Sequence, residues 1–220
     1  MNISEKIYTG LCVLFSSLIV LGNLTYKKFV TLQVPFIHSF ELSVGAILYP
    51  LTFLLTDLIA EFYGKEKANF CVRFAILMNI VTALLLTMMD YLTATSWSQI
   101  DDAIFHQVFG SFNIAFIGSI IACYIAQGID ILLYLWIRKL TAGKYLWLRN
   151  NGSTAISLFI DTFTVLTFLT IFGVLPAERF HLLLVNSYSW KLSFTICSTP
   201  LFYAAVYLIN RLLADKSALN

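Results

Sequence analysis

The run LSVGAILYPLTFLLTDLIAEFY, residues 42–63, decides the fold class. At about 1.5 Å per helical residue, its 22 residues reach about 33 Å, enough to cross a hydrocarbon core of about 30 Å. Five further apolar runs of similar length accompany it, at about residues 7–26, 68–90, 113–138, 153–175 and 190–213. The expectation is one all-α domain, residues 1–220, a polytopic membrane protein of six transmembrane helices. The fourth and sixth runs exceed the minimum length, which predicts tilt or a kink, and Pro200 supplies a kink site in the sixth. The first run lacks a strongly basic start and a small-x-small cleavage motif, so it reads as a permanent helix.

Composition agrees with a bilayer environment. Of 220 residues, 59% are hydrophobic and 12% charged, with a mean hydropathy of +0.82. Soluble domains carry about 25% charged residues, so this chain cannot cover a surface facing water on all sides. The net charge of +2 is not gathered into a basic face, which argues against nucleic acid as a partner. Cys12, Cys71, Cys123 and Cys197 sit in separate apolar runs and read as packing residues. His38, His106 and His181 fall in connections, with no pair at ligand spacing. No metal site and no cofactor are expected. No G-x-S-x-G, H-E-x-x-H or phosphate loop occurs, so no catalytic residue is assigned. An intramembrane protease built on Asp130 and Asp161 would need a G-x-G-D motif, which is absent.

Orientation follows from Lys and Arg in the connections. One side carries Lys6, Lys65, Lys67, Arg73, Arg138, Lys139, Lys144, Arg149, Arg211 and Lys216, against Lys27, Lys28, Arg179 and Lys191 on the other. The first side is expected to be cytoplasmic, with both termini there, in a bacterial inner membrane. Residues 29–41 alternate partly between apolar and polar, as in a short extended hairpin, although Pro35 interrupts a regular ladder. Ile100, Ile104, Phe105, Val108 and Phe109 share one helical face, as in a helix lying at the outer interface. Residues 143–152 read as a cytoplasmic loop anchored by Trp147 beside Arg149.

Ionisable residues inside spans are costly and face a bundle interior or a wet cavity. Asp57 and Glu61 are four apart on one helix face, and Gln127 and Asp130 three apart on another. Thr154, Ser157, Asp161 and Thr164 form a third stripe. Counted from the span ends, Asp57 is about 9 Å deep, Asp130 and Asp161 about 12 Å, and Arg73 about 8 Å. These four are expected in one layer of the cytoplasmic half. Three deep acids against one deep base leave an acid unpaired, which suits a polar ligand or a proton. Asn23, Asn79 and Lys191 complete the intramembrane polar set.

Four stretches carry a more specific signal: YPLTFLLTDLIAEFYG at 49–64, AQGID at 126–130, STAISLFIDT at 153–162, and a last helix with Lys191, Pro200 and the ending RLLADKS. In this order and spacing the chain resembles the queuosine precursor transporter family, also called the vitamin uptake transporter family. The resemblance implies import of 7-deazaguanine bases: 7-cyano-7-deazaguanine, 7-aminomethyl-7-deazaguanine or queuine. It maps the Asp57 and Glu61 block, Gln127, Asp130, Asp161 and Lys191 onto motif positions. Substrate contacts are expected from Asp161, Asp130, Gln127, Lys191 and Asn23, and a gate or proton relay from Asp57, Glu61 and Arg73. The expected partners are a nucleobase-like small molecule and membrane lipid, and a homodimer is compatible with the sequence. The six-helix layout also resembles the substrate-binding subunits of energy-coupling factor transporters, so the alternatives are such a subunit or a membrane enzyme.

Overall fold

The computed structural model describes residues 2–34, 38–110, 114–173 and 175–217. In chain order they form α1 (Ile3–Thr25), β1 (Phe29–Val34), β2 (His38–Ser43), α2 (Val44–Ile47), α3 (Pro50–Asp90), α4 (Asp102–Phe105), a π-helical turn (His106–Gly110), α5 (Ile114–Leu140), α6 (Leu146–Ile171), a 3-10 turn (Ala177–Arg179) and α7 (Phe180–Ser217). Five of these helices are long and apolar enough to cross a membrane. The molecule is an all-α polytopic membrane protein, with one small hairpin at the end of the bundle where α1 finishes.

Local chemistry sets several boundaries. Asn2 caps α1 by accepting from the Glu5 amide at 2.8 Å, while the Glu5 carboxylate accepts from the Asn2 amide at 2.9 Å. That reciprocal box satisfies two otherwise orphaned donors. Pro50 opens α3, where its missing N–H costs nothing. The hairpin strands pair antiparallel from Phe29 opposite Ser43 to Val34 opposite His38. The extended segment expected from alternation is therefore present and runs two residues further than expected. Pro35 lies outside the described residues.

With 41 residues, α3 would be about 60 Å long if straight, twice the hydrocarbon core. It is not straight. Gly64 has φ 79° and ψ 179°, a conformation essentially reserved for glycine. Near it, the Tyr63 hydroxyl donates to the Ser4 carbonyl at 2.9 Å, and the Tyr8 hydroxyl donates to the Lys67 carbonyl at 3.1 Å. Both contacts lie at the start of α1. The two ends of α3 lie at the other end of α1. Gly45, just before α3, presses against the Gly22 backbone. Asp90, at the far end, pairs with His106, and the neighbouring Gln107 and Val108 carbonyls accept from Lys27. The chain therefore folds back on itself at Gly64.

The main core packs Phe15 and Ile19 of α1 against Leu58 and Ile59 before the reversal and Cys71 and Ala75 after it, with Tyr134 of α5 and Phe202 of α7. Two of the long helices start well before the residues that hydropathy alone suggests. α6 begins at Leu146, not near residue 153, and α7 at Phe180, not near 190. In α6 the reason is local: the polar residues Arg149, Asn150 and Ser153 are buried inside the bundle, not lost to a loop. Residues 100–109 contain a short helix and a π-helical turn in place of one interfacial helix.

Candidate functional site

Three polar levels run along the bundle, the first centred on α6 and α7 and the other two built from α3, α5 and α6. At the hairpin end, Asp161 of α6 and Lys191 of α7 form a buried ion pair at 2.9 Å. Tyr49 donates to the other Asp161 oxygen at 2.8 Å, and Lys191 donates to Thr162 at 3.0 Å while standing 4.6 Å over the Tyr49 ring. Asp161, Thr162, Lys191 and Tyr49 line a cavity between α1, α2, α5, α6 and α7, together with Asn23, Ser119 and Ser187. Ser119 donates to Asn23 at 2.8 Å across its wall. The cavity volume is about 110 Å³. Tyr26 and Phe29 give it aromatic sides near the opening.

One to two turns further along α3 lies the second level. Thr56 donates to the Gln127 side-chain oxygen at 2.8 Å, and Gln127 donates to Thr52 at 3.2 Å. Beside them Asp57 and Asp130, both fully buried, lie against each other, with Ser153, Thr154 and Ser157 of α6 facing Asp130. The third level is an ion-pair cluster near the reversal. Glu61 accepts from Arg149 at 2.7 Å and from the Tyr134 hydroxyl at 2.8 Å. Arg138 stands at 3.8 Å, and Arg149 also donates to the Gly143 carbonyl at 2.8 Å.

The structure therefore divides the single layer expected from the sequence. Asp161 lies fifteen residues along α6 from Leu146, about 22 Å, because that helix starts seven residues earlier than expected. It belongs to the hairpin end, apart from Asp57 and Asp130. Arg73 does not join the acids. It is exposed on α3, off the buried stripe of Ala68, Cys71, Val72, Ala75 and Asn79. The base that meets Glu61 is Arg149, which sequence reasoning left in a loop. Of the expected substrate contacts, Asp161, Lys191 and Asn23 line the cavity, while Gln127 and Asp130 sit behind its wall. Tyr49 was also missed as a site residue, although its spacing with Thr52, Thr56 and Asp57 marks one helix face.

Residues 43–205 match the family described as "Putative vitamin uptake transporter". The chain belongs to that family. It is also 30% identical over 204 residues to a protein of Bacillus subtilis (strain 168) described as "Probable queuosine precursor transporter", covering 91% of this chain and 85% of that one. No solved structure matches. Family membership makes the chain a membrane transporter, and the matched region contains all three polar levels except Asn23.

Proposed function

We propose that this transporter imports queuosine precursors or related 7-deazaguanine bases across the bacterial inner membrane. The observation that carries this reading is the buried Asp161–Lys191 pair on the floor of an aromatic-sided cavity. A guanine-like edge presents adjacent N–H donors, which a carboxylate accepts as a charge-assisted pair. Its carbonyl accepts from an ammonium or an amide, the groups that Lys191 and Asn23 bring. Stacking on Tyr49, Tyr26 or Phe29 adds about 1–3 kcal/mol per base. The name of the Bacillus relative supports the same substrate class.

In this reading α3 supplies two crossings, six in all, as its length and its reversal at Gly64 support. Lys6, Lys65, Lys67, Arg138, Lys139, Lys144 and Arg149 gather around that reversal and the facing loop, so it lies in the cytoplasm with both chain ends. The cavity then opens outward. Glu61 with Arg149, in place of Arg73, closes the cytoplasmic side, and Gln127 and Asp130 act from below the substrate.

Uptake of labelled deazaguanine bases into vesicles reconstituted with the purified chain tests this. Asp161→Asn is expected to abolish uptake while leaving expression intact, and near-normal uptake sinks the assignment of that residue. Uptake that requires an added ATPase module would favour the binding-subunit alternative.

A further inference from the structure

The import reading sets Asp130 below the substrate but gives no role to its buried neighbour Asp57 and no counter-charge to the two together. Asp57 and Asp130 are both fully buried, and among the described residues none of their four carboxylate oxygens has a hydrogen-bond partner. Thr154, also buried, has an unpartnered hydroxyl facing the pair. Ser157 and Ser153 point at Asp130 too, but their hydroxyl hydrogens go to the Ser153 and Asn150 carbonyls at 3.0 and 3.4 Å. The surroundings are thus oxygen atoms from three helices, hydroxyls included, and among the described residues no cationic side chain forms an ion pair with either carboxylate.

The charged groups facing the pair do not neutralise it. Glu61 adds a further negative charge from α3, and Arg149 of α6 is committed to Glu61 at 2.7 Å and to the Tyr134 hydroxyl of α5 at 3.2 Å. Asp161 and Lys191 already form a pair of their own near the cavity. Two unpaired carboxylates in a membrane interior need a counter-charge. Oxygen-only ligand sets select hard cations. A carrier must also release its cation every cycle, which favours single charge.

We propose that Asp57 and Asp130, with Thr154, bind one monovalent cation, a proton or a sodium ion, and that its entry drives substrate import. The coupling half rests on the transport reading; the binding half does not. A route to the substrate is present. Thr56, next to Asp57, holds Gln127, Gln127 holds Thr52, and Tyr49 one turn on holds Asp161. Filling the cation site therefore acts on the same face of α3 that shapes the cavity.

Two measurements separate the halves. The first follows the thermal midpoint of detergent-purified protein in sodium chloride against choline chloride at fixed pH, then across pH in choline chloride. If the ion is sodium, the wild type is stabilised by sodium, and Asp130→Asn and Asp57→Asn lose that stabilisation. If it is a proton, sodium has no effect, and the pH profile of the wild type differs from that of both variants. Should the Asn variants not purify, Thr154→Val is expected to reduce the sodium or pH response while folding normally. Wild type and variants that respond alike to both overturn the site. The second measurement uses vesicles. An inward sodium or proton gradient is expected to accumulate labelled base, and the Asn variants to lose accumulation. Exchange of labelled for unlabelled base without gradient-driven accumulation would overturn the coupling and spare the import reading. Absence of exchange with every deazaguanine overturns the import reading, and the thermal experiment still decides the cation site.

Discussion

Arg149 and Glu61 show how much one buried pair can decide. Arg149 is 4% exposed and bonds Glu61, Tyr134 and the Gly143 carbonyl, tying α6 to α3, to α5 and to the turn between α5 and α6. Removing one partner of a buried pair strands the other and typically costs about 3–5 kcal/mol. Arg149→Met is therefore expected to lower the thermal midpoint clearly, and Arg149→Met with Glu61→Gln to lower it by less than the two single changes together. A double-mutant comparison of midpoints in detergent checks this, and strict additivity would show that the two side chains do not act on each other. The sequence made Glu61 legible, since it lies one turn after Asp57. It concealed Arg149, because a basic residue beside asparagines and a glycine reads as loop until a buried carboxylate is found opposite it.

At the scale of elements, the apolar runs were legible because the bilayer demands them, and the turn near residues 64–67 was legible from its glycine and charges. Helix starts were not. Hydropathy discounts polar residues, yet Arg149, Asn150, Ser153, Asn186 and Ser187 are buried inside α6 and α7. That misreading displaced Asp161 by two turns and merged two sites into one. Gly64 carries an element-scale prediction. A side chain there would meet nothing within 4 Å, so only the backbone opposes it. At φ 79° and ψ 179°, a non-glycine residue costs about 1–3 kcal/mol. Gly64→Ala is expected to lower the thermal midpoint. Asn, which tolerates other left-handed positions, is expected not to rescue it. A Gly64→Ala protein as stable as wild type would mean that the reversal is not held in this conformation.

For the whole molecule, the cavity lies between two ion pairs of unequal strength. Glu61–Arg149 is buried at 2.7 Å, whereas Glu41–Arg179 joins the hairpin to the turn before α7 at 3.7 Å and is largely exposed. Exposed pairs contribute about 0–1 kcal/mol and are screened by salt. The closure at the hairpin end is therefore the easier one to break, as the proposed import reading requires of an outward-facing entrance. Glu41 and Arg179 also flank a shallower opening that shares Phe29 and Leu183 with the main cavity, so the pair stands at its entrance. If the hairpin must move away from the turn for substrate to pass, joining them stops import. In a background with the four native cysteines replaced by alanine, Glu41→Cys with Arg179→Cys, bridged by a cleavable bifunctional maleimide, is expected to lose uptake and regain it on cleavage. A monofunctional maleimide at the same positions is expected to leave uptake largely intact. Unchanged uptake in the bridged protein would place the substrate path elsewhere, away from the hairpin and the Asp161–Lys191 floor beneath it.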